Sequence, residues 1–157
     1  MALTACFSLG LLLCLATGPF MSGVDAAECP RGWLSSNGHC YGYFHQELTW
    51  RQAQAYCQRH KANLASILDA DEHHAIADFL VQTQWDDEDV WIGLSIPMRS
   101  QGWVWADSSP VSYTAWDRFK PSHFAKNEHC AMLDEDSGFM VWDNDSCNDR
   151  NAFICKL

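Results

Sequence analysis

The sequence predicts an α+β domain. Two amphipathic helical segments lie early in the chain, many short β-rich runs surround and follow them, and no internal repeat or linker divides them. Thr49-Trp50-Arg51-Gln52 is a capping box, with a hydroxyl at the N-cap and Gln three residues on. Trp50, Ala53 and Cys57 follow at helical spacing, so a helix to about His60 is expected. Asp69 and Glu72 repeat the start signal, and Ile76, Phe79 and Leu80 give a second helix its apolar stripe.

Strands are expected at Cys40–Phe44, Ala62–Ile67, Val90–Ser95, Trp103–Ala106, Cys130–Leu133, Phe139–Trp142 and Ala152–Lys156. The architecture this implies is two helices packed on antiparallel sheets. Between Ile96 and Asn127 the periodicity fades among three prolines and several Ser, Lys and His residues. A long irregular loop region is expected there, the kind of segment that carries function.

Phe7 to Ala16 is a Leu-rich apolar run followed by Gly18-Pro19 and the small residues Val24 and Ala26, which reads as a secretory leader over residues 1–26. Its n-region carries no Lys or Arg. The run is shorter than the ~20 residues of a membrane span. Residues 27–157 then form one domain, secreted and extracellular.

Removal of Cys6 and Cys14 leaves six of the eight cysteines, Cys29, Cys40, Cys57, Cys130, Cys147 and Cys155, an even number consistent with three disulfides. Spacing alone leaves the pairing open. Without Asp25 the remaining chain carries nineteen acidic and ten basic residues. Nucleic acid and anionic membranes are therefore poor partners, whereas cations, calcium-rich surfaces, neutral sugars and basic proteins are compatible.

Cys29-Pro30-Arg31-Gly32-Trp33, Cys40-Tyr41-Gly42-Tyr43-Phe44, Leu64-Ala65-Ser66-Ile67, Trp91-Ile92-Gly93-Leu94 and Phe153-Ile154-Cys155 together resemble a C-type lectin-like domain over essentially all of residues 27–157. The chain is most similar to small secreted single-domain members. These are the regenerating (pancreatic-stone) proteins and, in Trp142-Asp143-Asn144-Asp145-Ser146-Cys147, the bird eggshell-matrix lectin-like proteins. The resemblance implies the bridges Cys29–Cys40, Cys57–Cys155 and Cys130–Cys147.

Sugar-binding members of that family use a Glu-Pro-Asn or Gln-Pro-Asp tripeptide, a later Glu and a Trp-Asn-Asp run to hold one calcium ion. Carried over by spacing, those positions fall on Lys120 and Ser122, on Glu128, and on Asp143 and Asn144. Calcium needs about 6–8 oxygen ligands. Only Glu128 and Asp143 supply carboxylates here, and Lys120 brings an ammonium that cannot ligate. The expectation is an altered calcium and sugar site. Glu128, Asp143 and Asn144 remain as metal ligands, Lys120 snorkels to solvent, no cofactor is required, and any calcium is weakly held. Asn144-Asp145-Ser146 is also an N-glycosylation sequon.

Asp86-Asp87-Glu88-Asp89 and Asp134-Glu135-Asp136 form two acidic clusters in expected loops. One alone reads as a solvated turn. Two on a secreted scaffold suggest contact with a cationic or mineral surface. His73-His74 lack the i, i+4 spacing of a helical zinc pair and are expected to be surface or half-buried structural residues. His123 and His129 flank the altered site and are read as ordinary loop histidines. Trp103 and Trp105 are expected in the core.

Catalysis is not expected, because the sequence holds no Gly-x-Ser-x-Gly elbow, no His-Glu-x-x-His pair and no cysteine outside the expected bridges and leader. The function expected is a secreted, non-enzymatic recognition module that binds glycans or a calcium-rich mineral or matrix surface. The alternative is a protein-binding member of the venom or receptor-ligand type. The sequence leaves its oligomeric state open.

Overall fold

Both expected helices form in the computed structural model, which describes residues 28–98, 102–122 and 128–157. The leader expected over residues 1–26, His123 and parts of the 96–127 loop lie outside the described residues. Helix α1 spans Trp50–Arg59 and begins at the full capping box. Gln52 N–H donates to Thr49 Oγ1 at 3.3 Å, and Thr49 N–H donates to Gln52 Oε1 at 3.1 Å.

Helix α2 spans Ala70–Thr83. Asp69 caps it by accepting from Glu72 N–H at 2.8 Å, but the Glu72 carboxylate accepts from Leu68 N–H at 2.9 Å instead of closing a second box. Its buried face is His73, Ile76, Ala77 and Leu80, with Phe79 half-buried at its margin.

Eight strands are seen among the described residues: β1 (Leu34–Ser36), β2 (His39–Leu48), β3 (Asn63–Leu64), β4 (Val90–Ile96), β5 (Val104–Trp105), β6 (His129–Leu133), β7 (Trp142–Ser146) and β8 (Asn151–Lys156). They form one mixed sheet of order β1-β2-β8-β4-β6-β7, with β3 on β8 and β5 on β4. The expected all-antiparallel arrangement is corrected at its centre, where β4 and β8 run parallel, Val90 beside Ala152 and Trp91 beside Phe153. Strands in such a pair are covered on both faces and so carry unbroken apolar runs. Val90–Leu94 and Ala152–Cys155 are buried without alternation.

Two further strand expectations need correction. Ala62–Ile67 contributes only Asn63 and Leu64 to a ladder; beyond them the chain threads between strands, with Ala65 N–H on Ile154 O and Gly93 N–H on Ala65 O. That approach requires glycine at 93, where a Cβ would lie 2.4 Å from Leu64 O. Phe139–Val141 is a return turn rather than a strand. Phe139 sits at φ 64°, and Ser137 Oγ accepts from both Met140 N–H and Val141 N–H. The strand starts at Trp142 and continues through Asp143, Asn144 and Asp145, poor strand formers held by pairing with β6.

Two packed clusters form the core. One gathers Ile67, Ile76, Leu80, Ile92, Trp105 and Trp142; the other gathers Trp50, Leu64, Trp91, Met132, Phe153 and four half-cystines. Each buried indole of the second cluster finds a carbonyl, Trp50 Nε1 on Ile92 O and Trp91 Nε1 on Leu48 O. Trp105 is a core residue as expected, and Trp103 is half-buried against Trp116, their ring centroids 4.8 Å apart.

The bridges are Cys29–Cys40, Cys57–Cys155 and Cys130–Cys147. The second ties α1 to β8 across 98 residues. A closure of that length stabilises by about 4–5 kcal/mol in the chain-entropy model.

His73 differs from its expected surface or half-buried position. It is 1% exposed, with Nδ1 2.8 Å from Tyr113 Oη and Nε2 2.8 Å from Phe139 O. Because the carbonyl can only accept, the proton resides on Nε2 and the tyrosine hydroxyl donates to Nδ1. Burial pushes its pKa down, partly offset by the Phe139 carbonyl, and His74 adds to the depression.

Candidate functional site

The β6–β7 hairpin sets Met132 opposite Asp143 and Ala131 opposite Asn144. Alternation along β7 buries Trp142 and Asn144 and turns Asp143 and Asp145 outward. The loop that carries Lys120 docks on this strand through Asp117 N–H to Trp142 O at 2.8 Å and Trp142 N–H to Ala115 O at 2.7 Å.

Four of the five residues singled out in the sequence meet here. Lys120 Nζ lies 2.7 Å from Asp143 Oδ1 and so pairs rather than snorkelling free. Asn144 Oδ1 accepts from Ser122 N–H at 2.7 Å, while its Nδ2 donates to Ser122 O at 3.2 Å and to His129 Nδ1 at 3.2 Å. Asn144 is 4% exposed, so the sequon's acceptor nitrogen is buried and already donating twice.

The fifth residue is held elsewhere. Glu128 receives a two-point contact from Arg51 of α1, Nη2 to Oε2 at 2.9 Å and Nε to Oε1 at 3.3 Å. The Glu128 carboxylate also lies within 4.8 Å of the Cys130 and Cys147 sulfurs. Those sulfurs are joined to each other and offer no thiolate to a metal. Nothing in the sequence links Arg51 to Glu128, 77 positions apart, and the contact arises where α1 and β6 share one core cluster through Trp50 and Cys130.

The two acidic clusters form one face. Antiparallel pairing of β4 with β6 puts Val90 opposite Leu133, which brings the flanking turns together. Asp89 Oδ1 accepts from Glu135 N–H at 2.9 Å. Asp134 caps the 3-10 turn Glu135–Ser137, accepting from Ser137 N–H at 3.1 Å.

Burial pushes the Asp89 carboxyl above the usual range against the Glu135 N–H, and the charges of Asp134, Asp143 and Asp136 push it further. Asp134 is raised chiefly by burial, with Asp136 and Asp143 adding to it. Asp143 therefore belongs electrically to both the Lys120 site and the acidic face. The ion pairs among the described residues are Arg51–Glu128, Lys120–Asp143 and Lys156–Glu72, none of which neutralises the seven clustered carboxylates.

Residues 46–157 match the model of the lectin C-type domain. The chain belongs to the C-type lectin domain family.

This C-type lectin domain is 49% identical over 142 residues to Dromaiocalcin-1 of Dromaius novaehollandiae, covering 88% of this chain and 96% of the relative. Human lithostathine shares the fold at a TM-score of 0.77 and 34% identity, over 82% of this chain and 98% of that one. Ovocleidin-17, described as a major protein of the Gallus gallus eggshell calcified layer, aligns at a TM-score of 0.74 and 32% identity, again over 82% and 98%. No helix among the described residues of this C-type lectin domain is long and apolar enough to cross a membrane.

Proposed function

We propose that the protein is a secreted, non-enzymatic recognition module that engages a calcium-rich mineral or matrix surface through its continuous carboxylate face. The observation that carries this reading is the hydrogen bond from Glu135 N–H to Asp89, which joins Asp86–Asp89 and Asp134–Asp136 into one surface without a paired cation. Exposed carboxylates can meet lattice calcium ions without a closed cage, each oxygen serving as a hard ligand. The likeness to ovocleidin-17, from an eggshell calcified layer, supports the same direction. Secretion is supported by the leader-like sequence of residues 1–26 and by three bridges suited to an oxidising compartment.

The described residues of the carried-over calcium site do not favour calcium-dependent sugar binding. Asp143 is occupied by Lys120, Asn144 Oδ1 by Ser122 N–H and Glu128 by Arg51, so the donor set does not fit the ion. Asn144 stays unglycosylated in the folded protein, because its amide is buried.

The test is sedimentation with calcite and a glycan array, each with and without chelator, using the full chain and an Asp86→Asn, Asp87→Asn, Glu135→Gln, Asp136→Asn variant. Asp89 and Asp134 are kept because their side chains hold turns. The wild type should bind calcite and the variant should lose most of that binding. Unchanged calcite binding by the variant, or sugar binding abolished by chelator, overturns the reading.

A further inference from the structure

Helix α2 ends at Thr83, and its C-cap Gln84 fixes the following turn by donating Nε2 to Glu88 O at 2.7 Å. That turn presents Trp85 at 76% exposure, beside Val81 at 59% on the last turn of the helix. The indole is not loose. The His45 ring from β2 lies against it with centroids 5.8 Å apart. Shallow clefts open on both sides, one floored by Tyr43 and Phe44, the other running past Leu80 to Glu135 and Phe139. Asp86 and Asp87 stand in the second cleft beside the ring. Glu88 is crowded as well: burial, then Glu47 and Asp86, hold its carboxyl above the usual range. No Lys or Arg among the described residues pairs with Glu47, Asp86, Asp87, Glu88 or Glu135.

We propose that this Trp85 face is a docking site for a basic polypeptide segment, with an arginine side chain laid over the indole and held by the surrounding carboxylates. The electron-rich face of an indole attracts a cation, and an exposed contact of this kind is worth a small multiple in affinity. Carboxylates at the ring edge add charge-assisted, two-point hydrogen bonds that a guanidinium matches and an ammonium does not. A mineral lattice has no use for the apolar area of Trp85 and Val81, and a neutral sugar has none for this charge. A second copy of the chain, with a net charge of −10, is repelled. The inference does not depend on the mineral reading, although Asp86, Asp87 and Glu135 serve both.

The probe is a fluorescein-labelled (Gly-Arg)6 peptide, with (Gly-Lys)6 and (Gly-citrulline)6 as controls, titrated by polarisation into the full chain. Wild-type protein should prefer Arg over Lys and ignore citrulline. Trp85→Ala should weaken Arg binding about two- to fivefold and narrow the Arg–Lys preference to the part that the carboxylates alone supply, and Trp85→Phe should restore most of the loss.

At an exposed position the alanine variant keeps its fold, checked by an unchanged Tm. Its calcite binding should also be unchanged. Loss of peptide binding with calcite binding intact in Trp85→Ala therefore bears on this inference alone, whereas the carboxylate variant should lose both ligands. Equal Arg-peptide affinity of wild type and Trp85→Ala overturns the proposal. So does a neutral glycan, or a concentration-dependent dimer, whose binding is what Trp85→Ala removes.

Discussion

Lys120 Nζ lies 2.7 Å from Asp143 Oδ1, with the two side chains 28% and 33% exposed. A half-exposed pair of this kind contributes about 0–1 kcal/mol to stability, so its importance is chemical. It places a cation against the outward carboxylate of β7. Replacing Lys120 by Glu and Ser122 by Asn removes that cation and adds two oxygen donors beside Asp143. Calcium affinity, measured by titration calorimetry, should rise from negligible to a Kd of about 10⁻³ M or tighter, the range of extracellular modules. No gain in calcium binding would show that these loop and strand positions do not share one site.

Asn144 secures the same loop from beneath. Its side chain bonds both the N–H and the C=O of Ser122 as well as His129 Nδ1. Asn144→Ala should cost about 1–3 kcal/mol in urea unfolding, because Ser122 and His129 lose partners at a 4% exposed position. Intact mass of protein secreted by eukaryotic cells should show no N-glycan. A glycan on Asn144 in folded, soluble protein would contradict the buried amide.

Much of this architecture could be read in the sequence wherever the signal is local. The Thr49–Gln52 box placed the start of α1, and the β-rich run Val90–Ser95 marked the central strand. Asn37-Gly38 is an equally local signal for the β1–β2 hairpin, with both residues at positive φ, and could have revealed β1. Non-local facts were not legible. The parallel β4–β8 pairing, the capture of Glu128 by Arg51 and the union of two acidic clusters by a bond across 46 positions all depend on packing that brings distant segments together. The buried state of His73 was hidden for the same reason, since its partners Tyr113 and Phe139 lie beyond the helix that carries it.

Lys156 on β8 is almost enclosed, its side chain 8% exposed against 13% for its partner Glu72 on α2. The ammonium also reaches Ser66 Oγ and O at 3.2 and 3.3 Å, and Tyr41 Oη donates to Glu72 at 2.6 Å. This network pins the start of α2 to the sheet. Removing one charge strands the other, so Lys156→Met should cost about 3–5 kcal/mol. The double variant Lys156→Met, Glu72→Gln should recover part of that loss. A Lys156→Met cost below about 1 kcal/mol would show that the pair is solvated rather than enclosed.

His73 makes the fold sensitive to mild acid. Its folded pKa is depressed by burial, so the unfolded chain takes up a proton at a higher pH than the native protein does. Stability is then level above the unfolded value of about 6.5. It falls as the pH drops from there to the lowered native value, and flattens below it.

Asp89 and Asp134 act in the opposite sense. Their raised native pKa values mean that the folded state binds protons first, which adds stability as the pH falls through those values. The two effects oppose each other, and removing the imidazole separates them. Urea unfolding should show lower stability at pH 5.5 than at pH 8 in the wild type. His73→Gln should cost about 1–3 kcal/mol at pH 8 through its lost hydrogen bonds, and should show a smaller difference between the two pH values. An equal pH difference in the variant would assign the acid sensitivity to another group.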